Sequence, residues 1–255
     1  MIYLDNVADV FKPRHVLIWL VSAFKAGFIN SAGFLATGKF VSHVTGFGTQ
    51  MGIAVGHEDY FFGVELLVIP LFFILGGVIT SFILDQNYKR KECPPFFIIQ
   101  GLITLMIGLV IYAGEGMEFN NTPFDIDNKY SVLELFILSS LCFICGLKNS
   151  LVTWATFGKI RVTHLTGLST DIGLNLIRSF KKNYPHPRMK ESRIVNFVRI
   201  MTLISFSVGA VASAIIIPKI GYKGFLVVFF ISLIMTLISI RDFRARSKMP
   251  LLTGQ

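Results

Sequence analysis

Six stretches of this chain, residues 16–36, 61–84, 95–113, 132–156, 195–217 and 224–240, are apolar and long enough to cross the roughly 30 Å hydrocarbon core of a bilayer. Lipid offers no hydrogen bonds, so each stretch must satisfy its own backbone as a helix. Composition agrees: 53% of the residues are hydrophobic, 15% are charged, and there are 25 Phe. The predicted fold is all-α, a polytopic membrane helical bundle of about six transmembrane helices, forming a single integral membrane domain over residues 1–255. The first partner is then the lipid bilayer itself.

The net charge of +9 is collected in a few places. Lys89-Arg90-Lys91 form one basic group. Lys181, Lys182, Arg188, Lys190 and Arg193 form a second, and Arg241, Arg244, Arg246 and Lys248 a third. By contrast, His57-Glu58-Asp59 and residues 115–127 are acidic or poor in Lys and Arg. Basic loops stay in the cytoplasm, so the pattern reads as orientation rather than nucleic-acid binding. Six crossings with both termini cytoplasmic put every group on its proper side. If two further short segments also crossed, the loop holding Lys89 would lie opposite the other basic groups.

Those two short segments, residues 45–56 and 166–180, would measure about 18 and 22 Å as helices, too little for an ordinary span. Each reads as a re-entrant or half-helix, with a tilted crossing or an interfacial helix as the plainer alternatives. Both follow copies of one polar pattern. Asn30-Ser31 is followed thirteen residues after the Asn by His43-Val44-Thr45-Gly46; Asn149-Ser150 is followed fifteen after by His164-Leu165-Thr166-Gly167. Thr49 and Gly52 match Thr170 and Gly173. The chain is an internal duplication, with one repeat over about 14–113 and another over about 131–240. With six spans the copies run in opposite directions, which is a 3+3 inverted repeat, and such folds build one site from two halves.

Within this frame the polar residues in apolar surroundings are the candidates for a substrate pathway. Asn30, Ser31, Asn149 and Ser150 lie inside spans, where amides either join neighbouring helices or line a site. His43 and His164 precede the half-helices and can titrate, or merely cap. Thr45-Gly46 and Thr166-Gly167 look like helix starts with Thr as N-cap, whose free N–H groups would favour an anionic group; Thr49 and Thr170 follow one turn on. Lys25 and Lys148 place charge within spans, at a cost of at least about 2.5 kcal/mol at helix-centre depth. Asp171 is the expected counter-charge for one of them, and snorkelling explains Lys148 better than Lys25. Ala23, Gly27 and Ser31, with Gly77 and Ser81, and Gly209 and Ser213, should be close helix contacts.

No phosphate-binding loop, zinc-protease motif or nucleophile elbow occurs in the chain. Cys142 and Cys145 sit in an apolar helix without the ligands that zinc or redox chemistry needs. No catalytic residue, metal or cofactor is therefore expected.

The motifs A-G-F-I-N-S-A-G-F-L from Ala26, H-V-T-G from His43, G-L-K-N-S-L-V from Gly146 and T-H-L-T-G from Thr163 resemble the YoaK family of small bacterial integral membrane proteins, a domain of unknown function numbered 1275. The resemblance implies a six-span protein of the bacterial inner membrane without an established activity. The family often has Asp at the position of Asn30, Asn at Phe47 and Gln at Lys148, so no proton- or cation-carrying role is transferred through that Asp. These features together predict a transporter or channel for a small solute or ion, an anion among the candidates. An intramembrane enzyme using the His pair and Asp171, or a non-catalytic scaffold or sensor, are the alternatives, and a homo-oligomer is left open.

Overall fold

The structure, a computed structural model, describes residues 7–88, 94–115, 117, 131–180 and 189–247. Lys89, Arg90, Lys91, Lys181, Lys182, Arg188 and Lys248, and most of the 115–127 stretch, lie outside the described residues. Eight α-helices are described: α1 (Pro13–Thr37), α2 (Val44–Gly56), α3 (Tyr60–Tyr88), α4 (Phe96–Gly114), α5 (Val132–Ala155), α6 (Leu165–Phe180), α7 (Met189–Ile220) and α8 (Leu226–Ser247). Short 3-10 turns, Val7–Phe11 and Gly221–Phe225, precede α1 and α8. No strand occurs among the described residues.

Local chemistry explains where the helices start and stop. Pro13 opens α1, where its missing N–H costs nothing. The Trp19 indole N–H, donating to the Val10 carbonyl at 3.0 Å, holds the preceding turn against the helix. Ser131 and Glu134 form a reciprocal capping box at the start of α5: the Glu134 N–H donates to Ser131 Oγ at 3.2 Å, and the Ser131 N–H donates to Glu134 Oε2 at 2.8 Å. Gly38 ends α1 in the left-handed region, φ 67°, with its N–H on the Phe34 carbonyl.

α1 packs most extensively on α7, and α3 on α5, while α1 and α5 meet at the centre. α2 lies against α3, α6 against α7, and α4 against α5 and α8. Apolar side chains face outward, among them Leu71, Ile74, Val78 and Phe82 on α3, Val208 and Val211 on α7, and Phe230, Ile234 and Leu237 on α8. Water would penalise that surface; lipid does not.

The closest crossings use one device four times. A Cβ on Gly27 would collide with the Phe206 carbonyl oxygen, and one on Gly209 with that of Phe24. Across the other pair of helices, Gly146 meets the Phe73 carbonyl and Gly76 that of Phe143. Each of the four helices thus contributes the sequence Phe-x-x-Gly: Phe24 to Gly27, Phe73 to Gly76, Phe143 to Gly146 and Phe206 to Gly209. Glycine is required because backbone meets backbone. At the α4–α8 crossing the Thr104 and Thr236 hydroxyls lie 3.1 Å apart, and each also lies within hydrogen-bond distance of the carbonyl one turn back, Gln100 at 2.8 Å and Ser232 at 2.9 Å.

A polar cleft between α3, α5 and the loop before α6

The loops that follow α1 and α5 fold back along their helices. After Gly38 the chain returns to the level of Asn30, whose Oδ1 accepts the Ser42 N–H at 3.2 Å and the Ser42 hydroxyl at 2.8 Å. Val41 is buried and abuts Gly33, and the Phe34 and Phe40 rings stack at 4.4 Å. His43 stands edge-on to Phe40, with 6.1 Å between centroids. Lys39 lies over the Phe62 ring at 5.4 Å, and partial burial lowers its pKa from the ordinary lysine value. Asn30 is thus closed over by its own loop.

The second loop is built differently. Phe157 and Gly158 both have positive φ, 52° and 74°, and reverse the chain beyond α5. The Thr156 hydroxyl bridges the turn, donating to the Val152 carbonyl at 2.7 Å and accepting the Ile160 N–H at 3.2 Å. Asn149 is only 8% exposed, yet its Oδ1 has no hydrogen-bond partner, and neither have the buried hydroxyls of Thr163 and Thr153. Such atoms are uncommon in folded proteins, and an ordered water or a ligand group is one way to satisfy them.

A cleft of about 380 Å³ lies here. Gly77, Thr80 and Ser81 of α3 form one wall, Asn149, Ser150, Thr153 and Trp154 of α5 another, and Arg161 and His164 of the loop the third. His164 stands edge-on to Phe73, centroids 6.2 Å apart. Its pKa lies below the ordinary imidazole value because of burial and then the nearby Arg161 charge. The Trp154 indole donates to Asp85 Oδ1 at 2.8 Å, and the Ser81 hydroxyl also donates to Asp85, so a carboxylate is fixed beside two of the walls.

The structure brings Asn149, Ser150 and His164 together and keeps their first-copy equivalents Asn30, Ser31 and His43 out of this cleft. Thr45, Thr49, Thr166 and Thr170 are exposed; the hydroxyls of Thr49 and Thr170 return to the carbonyls of Thr45 and Thr166 at 3.2 and 3.1 Å. Neither Thr45 nor Thr166 is an N-cap. α2 begins at Val44 with His43 in the cap position, and α6 begins at Leu165, because the turn closes one residue earlier than the Thr-Gly pattern suggests. α2 packs on α3 and α6 on α7, and neither Thr45 nor Thr166 lines the cleft described above. Gly46 packs under the His43 ring, whereas Gly167 is open.

The expected pairing of Asp171 with an intramembrane lysine is corrected. Asp171 bonds Arg199 of α7 at 2.8 Å, the helix that α6 lies on. Lys25, 1% exposed, points its Nζ at the Met235 sulfur, 3.8 Å away, and Lys148, 2% exposed, has no hydrogen-bond partner for its Nζ. Arg161, Thr153, Thr80 and Trp154 were not among the sequence candidates. Thr163 carried a visible signal, since it precedes His164 as Ser42 precedes His43.

Five apolar helical stretches are long enough to cross a bilayer, the last of them, Arg193–Ala245, taking in both α7 and α8. Together with the outward apolar faces they define a multi-pass helical membrane protein. Over residues 18–238 the chain matches the family described as Protein of unknown function (DUF1275), and it belongs to that family. No curated protein and no solved structure matches it.

Proposed function

We propose that this protein is a transporter or channel for a small solute or ion in the bacterial inner membrane, with six crossings, cytoplasmic termini, and α2 and α6 as re-entrant helices. Two inverted repeats, about 14–113 and 131–240, form the pathway. The reciprocal Phe-x-x-Gly crossings support this reading: α1 uses α7 as α5 uses α3, with corresponding residues in contact. An in-plane two-fold axis requires that correspondence. In this topology α3 and α5 both end at the cytoplasmic side, so the cleft lined by their C-terminal halves opens inward. Its counterpart around Asn30 is closed by Ser42. One gate open and its equivalent shut is the arrangement that alternating access needs.

The observation that carries the proposal is the buried, unpartnered Asn149 Oδ1 in a polar cleft of a membrane protein. The test uses a variant with Cys93, Cys142 and Cys145 replaced by Ser and Ser150→Cys introduced, reconstituted in proteoliposomes and assayed for swelling in a panel of small polar solutes and salts. Flux of at least one solute, blocked when the introduced thiol is alkylated by a bulky reagent, is expected. Rates equal to those of protein-free vesicles throughout the panel would refute the transport reading.

A further inference from the structure

The walls of the cleft differ in chemistry, and the difference selects a ligand. We infer that the cleft binds a small carboxylate carrying a hydrogen-bond donor on the adjacent carbon, an ammonium in preference to a hydroxyl; this rests on the reading of the chain as a solute transporter. Arg161 supplies the carboxylate end. It alone among the lining residues carries a permanent positive charge, and its planar fork matches a carboxylate. His164 stays largely neutral beside it and adds a neutral donor or acceptor rather than a second cation.

The α5 wall holds an acceptor that asks for a donor. Asn149 Oδ1 accepts nothing from the protein, while the buried, unpartnered Thr153 hydroxyl beside it can accept or donate. An inorganic anion would set its lone pairs against Asn149 Oδ1, and an apolar solute would leave both the guanidinium and the amide carbonyl desolvated and unpaired. The indole N–H of Trp154 and the hydroxyl of Ser81 are already given to Asp85, so they offer nothing to an anion. Asp85 instead places negative charge next to the donor-seeking wall, which favours ammonium over hydroxyl. The volume, about 380 Å³, lies near the small end of ligand sites.

The test is calorimetric titration of the full chain in lipid nanodiscs with L-serine, L-lactate, acetate and ethanolamine. L-Serine should bind tightest and L-lactate next, with acetate, which lacks the donor, and ethanolamine, which lacks the carboxylate, weaker than serine by about tenfold or more. Arg161→Gln should weaken serine and lactate by about tenfold or more and leave ethanolamine unchanged; Arg161 is exposed, and an unaltered melting temperature confirms that the variant is folded. Acetate binding as tightly as serine, serine binding unaltered by Arg161→Gln, or no heat from either serine or lactate overturns the inference. Serine binding with this Arg161 dependence in a protein that passes no solute leaves the ligand class standing and removes transport. Solute flux blocked by alkylation at position 150, without serine or lactate binding, does the reverse.

Discussion

The loops after α1 and α5 carry similar residue patterns and end in opposite states. In the first, six residues, 38–43, suffice to bring Ser42 onto Asn30 and to stack Phe40 on Phe34. In the second, nine residues, 156–164, turn through the left-handed pair Phe157-Gly158, and Thr163 stays off Asn149. A polar pair is therefore made in one half and unmade in the other. Equivalence in sequence sets which residues can meet, while the length and backbone conformation of the intervening loop set whether they do.

The largest effects should come where the halves are alike. Gly27→Val and Gly146→Val each drive a side chain into a facing carbonyl, at a cost of at least about 3 kcal/mol, and both should abolish the monodisperse peak in size-exclusion chromatography. Gly52→Val and Gly173→Val, with nothing within 4 Å of the added Cβ, should elute as wild type. Tolerance of one crossing substitution but not its counterpart would break the equivalence of the halves.

A smaller effect should separate the two asparagines. Asn30→Ala strands the buried Ser42 N–H and hydroxyl and should destabilise by about 1–3 kcal/mol, whereas Asn149→Ala removes an acceptor that bonds nothing and should cost under about 1 kcal/mol. Thermal melts of the two variants in one detergent decide this, and equal losses would mean that the contrast between the loops is not energetic.

Accessibility sharpens the same comparison. In a cysteine-free background, single Cys probes replacing Lys89 and Lys182 should resist an impermeant reagent applied outside, and a probe replacing Asn120 should react. Labelling of the Lys89→Cys variant from outside would end the six-crossing topology.

The smallest effect is a pH dependence confined to the second loop. The folded-state pKa of His164 is depressed, so the protein disfavours its protonated form. Its contribution to stability is complete above the unfolded imidazole value, near 6.5, and is lost as pH falls below it toward the folded value. His164→Gln should flatten the dependence of melting temperature on pH as pH falls below about 6.5, relative to wild type; an unchanged slope would locate the acid sensitivity elsewhere.

Much of the scaffold was legible in advance. The six apolar stretches fall within α1, α3, α4, α5 and the α7–α8 region, and the two short segments became α2 and α6, because length and hydropathy act locally. Gly27 and Gly209 were expected at close contacts and make them, while Gly76 and Gly146 were overlooked although the Phe-x-x-Gly pattern is fourfold in the sequence. The partner of Asp171 was not legible: which cation reaches it depends on α6 lying along α7, a tertiary fact that spacing does not encode. Arg161 escaped for a related reason, since a basic loop residue reads as an orientation signal until the chain is seen to fold back beneath it.

The four Phe-x-x-Gly contacts also bear on how the chain must assemble. Each tight pair takes one helix from either half: α1 is clasped by α7, and α3 by α5. Neither half can bury its own glycine faces. A chain cut between α4 and α5 would leave each fragment with two of these glycine faces uncovered.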